Sequence, residues 1–346
     1  MFKNLSPSAL GVTGHQSEII ELALTYGFRG MDLDVVDFAT RAKHRGLPYA
    51  RRLIDSAMSC ADFKIGTFVL PVDWEGSDEQ FKQDLETLPE YAQAAAEVGC
   101  TRCTAIVAPG GDARPYHENF EFHKDRFAQV CKALEPSGTW LGIGFRAAEY
   151  LRKDQAFQFI HDFDALTLLV NMIDASNVGL LIDVWDLVVS GQTIETVAQL
   201  PVHQIVALQI SQVPEAVAPA ELDANSRLLP NAEGGLIDQV TLLKTLGEMG
   251  YDGPVTPNPA RGAFTTRRRD AIVRQAGEAL DALWRAADLP GAGRATAQPV
   301  APAAAAMAAA AAAAAADSAP AEEAATPAAA EAPAATETEA APSEDA

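Results

Sequence analysis

Two stretches decide the fold: Leu141-Gly142-Ile143-Gly144-Phe145 and Gly179-Leu180-Leu181-Ile182-Asp183. Each is a short run of glycine and apolar residues, without the apolar–polar alternation of a strand that has one wet face. Such runs read as strands buried on both sides, the condition of a parallel sheet covered by helices.

Working outward, similar runs recur at Ala9–Val12, Gly30–Leu33, Ile65–Leu70, Cys103–Val107, Ile205–Ile210 and Pro254–Thr256. Amphipathic stretches between them predict helices at Gln16–Tyr26, Pro48–Cys60, Glu79–Val98, His117–Leu134, Asp164–Ile173, Ile194–Gln199 and Ile237–Met249, and a last one at Thr266–Ala287. Eight strand–helix units within residues 1–287 predict an α/β chain folded as a (β/α)₈ barrel. A doubly wound open sheet is the alternative. Its glycine-rich phosphate turn is not matched by Gly11-Val12-Thr13-Gly14-His15.

Residues 1–287 therefore read as one barrel domain. Residues 288–346 are dominated by Ala, Pro, Glu, Thr and Ser and hold no aromatic residue. A segment of that composition is expected to be a disordered, low-complexity acidic tail, because it cannot bury enough apolar surface to offset the entropy of ordering. The formal net charge is −21, of which nine acids against one arginine lie in residues 288–346. Charge of this sign repels phosphate backbones and anionic lipid, so neither nucleic acid nor membrane is an expected partner. Met1–Pro7 lacks the basic and apolar regions of a signal peptide, and four cysteines suit a reduced compartment, so the expected location is cytoplasmic. Cys100-Thr101-Arg102-Cys103 has redox or zinc spacing, but no second pair completes a zinc site.

In a barrel of this kind the chemistry gathers at the carboxyl ends of the strands. Those ends bring Asp32 and Asp34, Trp74, Asp112, Asp183 with Trp185 and Asp186, Gln209, and Asn258 to one mouth. His15 follows the first run and is a candidate substrate contact. Trp74 and Trp185 suit either a wall that stacks on a sugar's apolar face or an ordinary core position.

At this point a resemblance becomes specific. Leu180–Asp186, Arg227–Asp238 and Gly250–Val255 resemble the xylose isomerase-like TIM barrels, a group of sugar phosphate isomerases and epimerases that includes inosose dehydratases and ketose 3-epimerases. The likeness covers most of residues 8–285 and is strongest from the fifth strand onward. It implies a divalent metal (Mn, Mg, Co or Zn) held by Glu, Asp, His and Glu from strands five to eight. The metal polarises carbonyl and hydroxyl oxygens, and the two glutamates move the proton beside the carbonyl. It also implies a small sugar or sugar phosphate as the partner molecule.

Carried across residue by residue, the resemblance is uneven. Asp183 matches the aspartate. The two glutamates correspond to Gly144 and Asn258, the histidine to Gln209, and the family's histidine three residues after the aspartate to Asp186. Hard divalent ions want anionic oxygens, whereas amides carry no charge and cannot act as bases. Compensation has several routes. Asp186 adds a carboxylate one helical turn from Asp183; Glu149 is available from a loop; Asp32 and Asp34 end the second strand. Alternatively, the guanidinium of Arg146 replaces the metal's charge and pairs with Asp183. A helix N-cap is the plain structural role for Asp183.

Two readings follow. In the first, the chain is an isomerase or epimerase of a small sugar or polyol with a rearranged, degenerate metal site. Asp183 and Asp186 are then catalytic, and Asp183 is the remaining metal residue. Arg227, Trp74, Trp185, Gln209, Asn258, Arg146 and His15 contact substrate. In the second, the barrel is a non-catalytic descendant that binds a sugar-like ligand or a partner protein. An endonuclease IV-like reading needs a His/Glu metal cluster and a basic DNA face, and this acidic chain offers neither. Arg261, Arg267, Arg268 and Arg269 after the last strand suit either phosphate binding or a solvated helix start.

Overall fold

The apolar runs fold as strands in a computed structural model that describes residues 1–215, 217 and 221–291. The expected tail lies outside the described residues from 292 onward. In chain order the strands are β1 (Phe2–Leu5), β2 (Gly30–Met31), β3 (Lys64–Ile65), β4 (Phe68–Val69), β5 (Arg102–Ile106), β6 (Gly110–Gly111), β7 (Trp140–Gly144), β8 (Phe157–Gln158), β9 (Val178–Asp183), β10 (Ile205–Ile210) and β11 (Pro254–Pro257).

Nine of these pair side by side in the order β3-β2-β1-β11-β10-β9-β7-β5-β4, and every pairing is parallel. β3 and β4 are two halves of one run, Lys64–Val69, broken at Gly66-Thr67. The first half pairs with β2 and the second with β5, so the sheet ends where it began. This is the closed (β/α)₈ TIM barrel that the strand–helix alternation predicts. β6 and β8 make a small antiparallel ribbon on the rim.

One expected strand is corrected. Ala9–Val12 is not a strand: Pro7–Leu10 is a short helix, closed by Gly11 at φ 58°. The first barrel strand lies earlier, at Phe2–Leu5, where Lys3 and Asn4 are buried. Two polar residues in a four-residue strand hide it from an apolar-run reading. Both are satisfied inside the fold: the Lys3 ammonium pairs with Asp281, and Asn4 donates to Asp32 and Thr256.

Two helices also go beyond the expected set, Val35–Arg45 and Val184–Val189. The first is short and charged, with a narrow buried stripe of Val35, Phe38 and Ala39. The second merges in sequence with the apolar run of β9.

The strands hold together by burial on both faces. All six residues of β9 are buried, and Leu180, Ile182, Leu208 and Ile210 each contribute roughly 1.5–3 kcal/mol by leaving water. Glycine allows the closest approach: a Cβ on Gly179 would collide with the Gln204 carbonyl of the neighbouring chain segment. Gly99, at φ 74°, follows the helix Asp78–Ala96 and turns the chain into β5.

Helix starts are pinned by side-chain caps. Asp34, Ser77, Asp162 and Asp238 each accept the amide three residues on, each worth about 1 kcal/mol. These starts lie at the end of the barrel where the strands finish, so the caps hold the mouth loops in place. Among the described residues, no helix is long and apolar enough to cross a membrane.

Candidate functional site

The mouth is built around two carboxylates. β9 ends on Asp183, whose Oδ1 accepts the Trp185 amide at 3.0 Å and so caps the helix Val184–Val189. The first turn of that helix swings Asp186 to the same side. Asp186 Oδ1 accepts the Ala147 amide at 2.9 Å from the loop after β7.

Two guanidinium groups close on the remaining oxygens. Arg227 donates through Nη1 to Asp183 Oδ2 and through Nη2 to Asp186 Oδ2, both at 2.6 Å. Arg146 donates from Nη1 alone, at 3.3 Å to Asp183 Oδ2 and 2.9 Å to Asp186 Oδ2. Asn258, one residue past β11, adds a hydrogen bond from Nδ2 to Asp183 Oδ2 at 2.9 Å, and the same nitrogen reaches Gln209 Oε1 at 3.0 Å. Two negative and two positive charges balance.

Depth orders the four. The Asp186 and Asp183 side chains are 1% and 4% exposed, Arg227 is 10% exposed, and Arg146, at 29%, is outermost. The Arg227 guanidinium lies over the Trp185 ring, 4.4 Å from its centroid. The indole is therefore the floor under the ion pairs, and Arg227 occupies the face that a sugar would need for stacking.

Burial pushes the Asp183 carboxyl up, but the Arg227 and Arg146 charges outweigh it and hold the group below the usual carboxylate range. Asp186 moves the other way: burial and the Asp183 charge raise it, against the pull of the arginines. Arg227 is held further above its already high value, because its own burial is outweighed by Asp183 and Asp186. A buried quartet of this kind is rigid, since removing one member strands a charge in low dielectric.

The residues present do not fit the divalent metal that the resemblance implies. Gly144 supplies no ligand, and a Cβ there would lie 3.1 Å from the Leu181 carbonyl and 3.2 Å from Leu181 Cδ2. Gln209 and Asn258 are neutral, and the Asp183 and Asp186 carboxylates are already engaged, their Oδ2 atoms with guanidinium groups and their Oδ1 atoms with backbone amides. Among the described residues, no cluster of three or more His, Cys, Asp or Glu side chains is placed to hold a metal ion.

A second carboxyl group shares the mouth. Asp32, the first residue past β2, accepts Asn4 Nδ2 at 2.7 Å, the Thr67 amide at 3.0 Å and Thr67 Oγ1 at 2.9 Å, all on Oδ1. Burial raises its pKa against the pull of bonds from Ser6, Asn4 and Thr67. Asp32 lines a cavity of about 460 Å³ together with His15, Asp34 and Arg41. The polar character of β1 hides this network in the sequence, since Asn4 of that strand is the residue that ties Asp32 to Thr256 of β11.

Of the residues singled out in the sequence, the structure brings Asp183, Asp186, Arg146, Arg227, Gln209, Asn258 and Trp185 into one cluster. His15 stands apart as the exposed cap residue of the helix Gln16–Thr25, on the wall of the Asp32 cavity. Trp74 is half-buried and packs against the core, on Phe127 at 5.7 Å between ring centroids. Glu149 is exposed on a short turn and takes no part in the cluster. Arg261 bonds the Gly11 carbonyl, and Arg269 bonds the Thr13 carbonyl and Glu18, so both tie the first and last loops of the mouth together.

Comparison with known proteins agrees with the barrel fold. A model of the xylose isomerase-like TIM barrel matches residues 20–283. Among solved structures, a xylose isomerase domain protein from Alicyclobacillus acidocaldarius is 24% identical, covers 83% of this chain and 99% of its own, and superposes with a TM-score of 0.72. The probable 3-DHS dehydratase AsbF from Bacillus anthracis is 13% identical, over 81% of this chain and 98% of its own, at 0.61. The D-psicose 3-epimerase from Clostridium cellulolyticum H10, solved with D-tagatose, is 14% identical over 83% and 99%, at 0.58. At these identities the structural likeness is a likeness of fold. No curated protein sequence matches the chain.

Proposed function

This chain belongs to the xylose isomerase-like TIM barrel family, and we propose that it binds a small polyhydroxylated, sugar-like molecule at the barrel mouth without the family's divalent-metal chemistry. One observation carries the reading. Asp183, which matches the family's metal-binding aspartate, and its neighbour Asp186 are both spent on Arg227 and Arg146. A guanidinium cannot be lost at neutral pH, so the positive charge that a metal would bring is permanently present. The neighbouring amides of Gln209 and Asn258 offer the hydrogen-bond pattern that sugar hydroxyls and carbonyls take.

The test is a titration of chelator-stripped, full-length protein with Mn²⁺, Mg²⁺, Co²⁺ and Zn²⁺, followed by sugars and polyols. Binding of a polyol with no tight, stoichiometric metal is the expected result. A stoichiometric metal that Asp183→Asn abolishes would overturn it.

A second reading keeps catalysis. Burial makes the Asp32 carboxyl readier to hold a proton, as it does Asp186, but Asp32 carries no guanidinium partner among the described residues and lines an open cavity. It can serve as a metal-free acid or base beside a substrate carbonyl. Turnover of a ketose that disappears in Asp32→Asn, while Asp183→Asn keeps it, would favour this reading over simple binding.

A further inference from the structure

The hydrogen-bond chain at the mouth fixes which atoms point outward. Asp183 Oδ2 can only accept, so the Asn258 atom facing it must be the NH₂ group. That nitrogen also faces Gln209, so Gln209 must present its carbonyl inward. Both amides are thereby oriented by one carboxylate. What remains for a ligand is the Asn258 Oδ1 acceptor and the Gln209 Nε2 donors.

Arg146 has the same character. A single nitrogen, Nη1, makes both of its carboxylate contacts. Its Nε and Nη2 atoms bond nothing among the described residues, and neither is buried without a partner. Arg146, Gln209 and Asn258 are all partly exposed. Arg227, by contrast, spends both terminal nitrogens on Asp183 and Asp186, so the carboxylate pair keeps a bidentate partner whatever Arg146 does.

The unspent Nε/Nη2 edge of a guanidinium is planar, charged and spaced for two parallel bonds to a carboxylate. The Asp183 oxygen that Arg146 contacts also holds Asn258, and Asn258 holds Gln209, so the same cluster offers one amide donor and one amide acceptor. A carboxylate with a hydroxyl on the next carbon matches that set: its two oxygens take Arg146 and Gln209, and its hydroxyl donates to Asn258. We propose that the ligand of this barrel is a sugar acid, a polyhydroxylated 2-hydroxy carboxylate, and that Arg146 is the residue that selects it over a neutral sugar. The proposal rests on the sugar-binding reading above and specifies its ligand class. The incoming anion meets the outermost charge of the quartet, while the carboxylates of Asp183 and Asp186 lie beneath it, neutralised by Arg227.

The experiment compares matched probes that differ only in the carboxylate. Full-length protein is titrated calorimetrically with D-gluconate against D-glucitol, D-galactonate against galactitol, and D-arabinonate against D-arabinitol. The wild type is expected to bind at least one acid about tenfold or more tightly than its alditol. Arg146→Gln is expected to erase that preference. Arg146→Lys keeps a positive charge beside Asp183 and Asp186 but lacks the planar edge; it remains measurable if the glutamine variant folds poorly, and it too is expected to lose most of the preference. Alditols that bind as tightly as the acids would overturn the sugar-acid inference and leave the sugar-binding reading standing, as would a preference unchanged in both variants. Absence of binding by every acid and every alditol would overturn both.

Discussion

Nη1 of Arg227 stands 2.6 Å from Oδ2 of Asp183, 44 positions apart in the chain. The second arm of the same guanidinium reaches Asp186 at the same distance. One side chain thus clamps the end of β9 to the first turn of the helix after it. In doing so it uses the oxygens that a metal would need.

Removing that clamp strands two buried carboxylates with only the more exposed Arg146. Arg227→Met is expected to cost about 3–5 kcal/mol of stability at neutral pH, read from the urea midpoint. The deficit should shrink in acid as Asp183 and Asp186 take up protons. An unchanged midpoint would show that the quartet does not form in solution.

Gly144 is crowded rather than vacant. With the Leu181 carbonyl 3.1 Å from where a Cβ would sit, Gly144→Glu is expected to destabilise by about 1–3 kcal/mol. Adding Gln209→His and Asn258→Glu is expected to leave Mn²⁺ binding weak while Arg146 and Arg227 hold Asp183. Tight Mn²⁺ binding by this triple variant in calorimetry would contradict that order of effects.

Asp32 supplies a pH dependence with a definite sign. Its folded-state pKa is raised, mainly by burial, so the folded chain holds this proton more tightly than the unfolded chain. The stability that follows is fully present below the unfolded value, about 3.9, and is lost as pH rises through the raised one. The stability of wild type relative to Asp32→Asn should therefore fall across that interval in urea titrations run at a series of pH values. A difference independent of pH would show that Asp32 titrates normally.

Thiol reactivity should divide three to one. Cys60 is exposed, whereas Cys100, Cys103 and Cys131 are buried and free. Burial pushes the Cys100 and Cys131 thiols up to about 12, and raises Cys103 well above its ordinary value. Since the thiolate is the reacting species, a native titration with a disulfide reagent is expected to consume one thiol quickly. The other three should react only on unfolding. Fast reaction of a second thiol would reopen a redox role for the Cys100–Cys103 spacing.

Much of the site is legible in the sequence. The runs that became β7, β9, β10 and β11 are apolar and separated by helical stretches, so their carboxyl ends placed Asp183, Gln209 and Asn258 within a residue or two. The spacing of Asp183 and Asp186 already put both on one turn. β1 was missed because its two central residues are polar, and the energy that buries Lys3 comes from Asp281, far along the chain. Asp32 was noticed as a strand end, but its partner Asn4 was hidden in that missed strand.

The sequence by itself pointed to the barrel, and put Gly144, Gln209 and Asn258 where the resemblance expects two glutamates and a histidine, because strand burial is written locally in apolar runs and a side chain's chemistry is written in its identity. It left open whether Asp183 would face a neighbour's carboxylate, a guanidinium or water. Only closure of the barrel decided that. Ring closure brings residues 146, 183 and 258, at or just past three strand ends, together with residue 227 of the connection after β10 to one point, where electrostatics in a dry environment pairs each buried acid with an arginine.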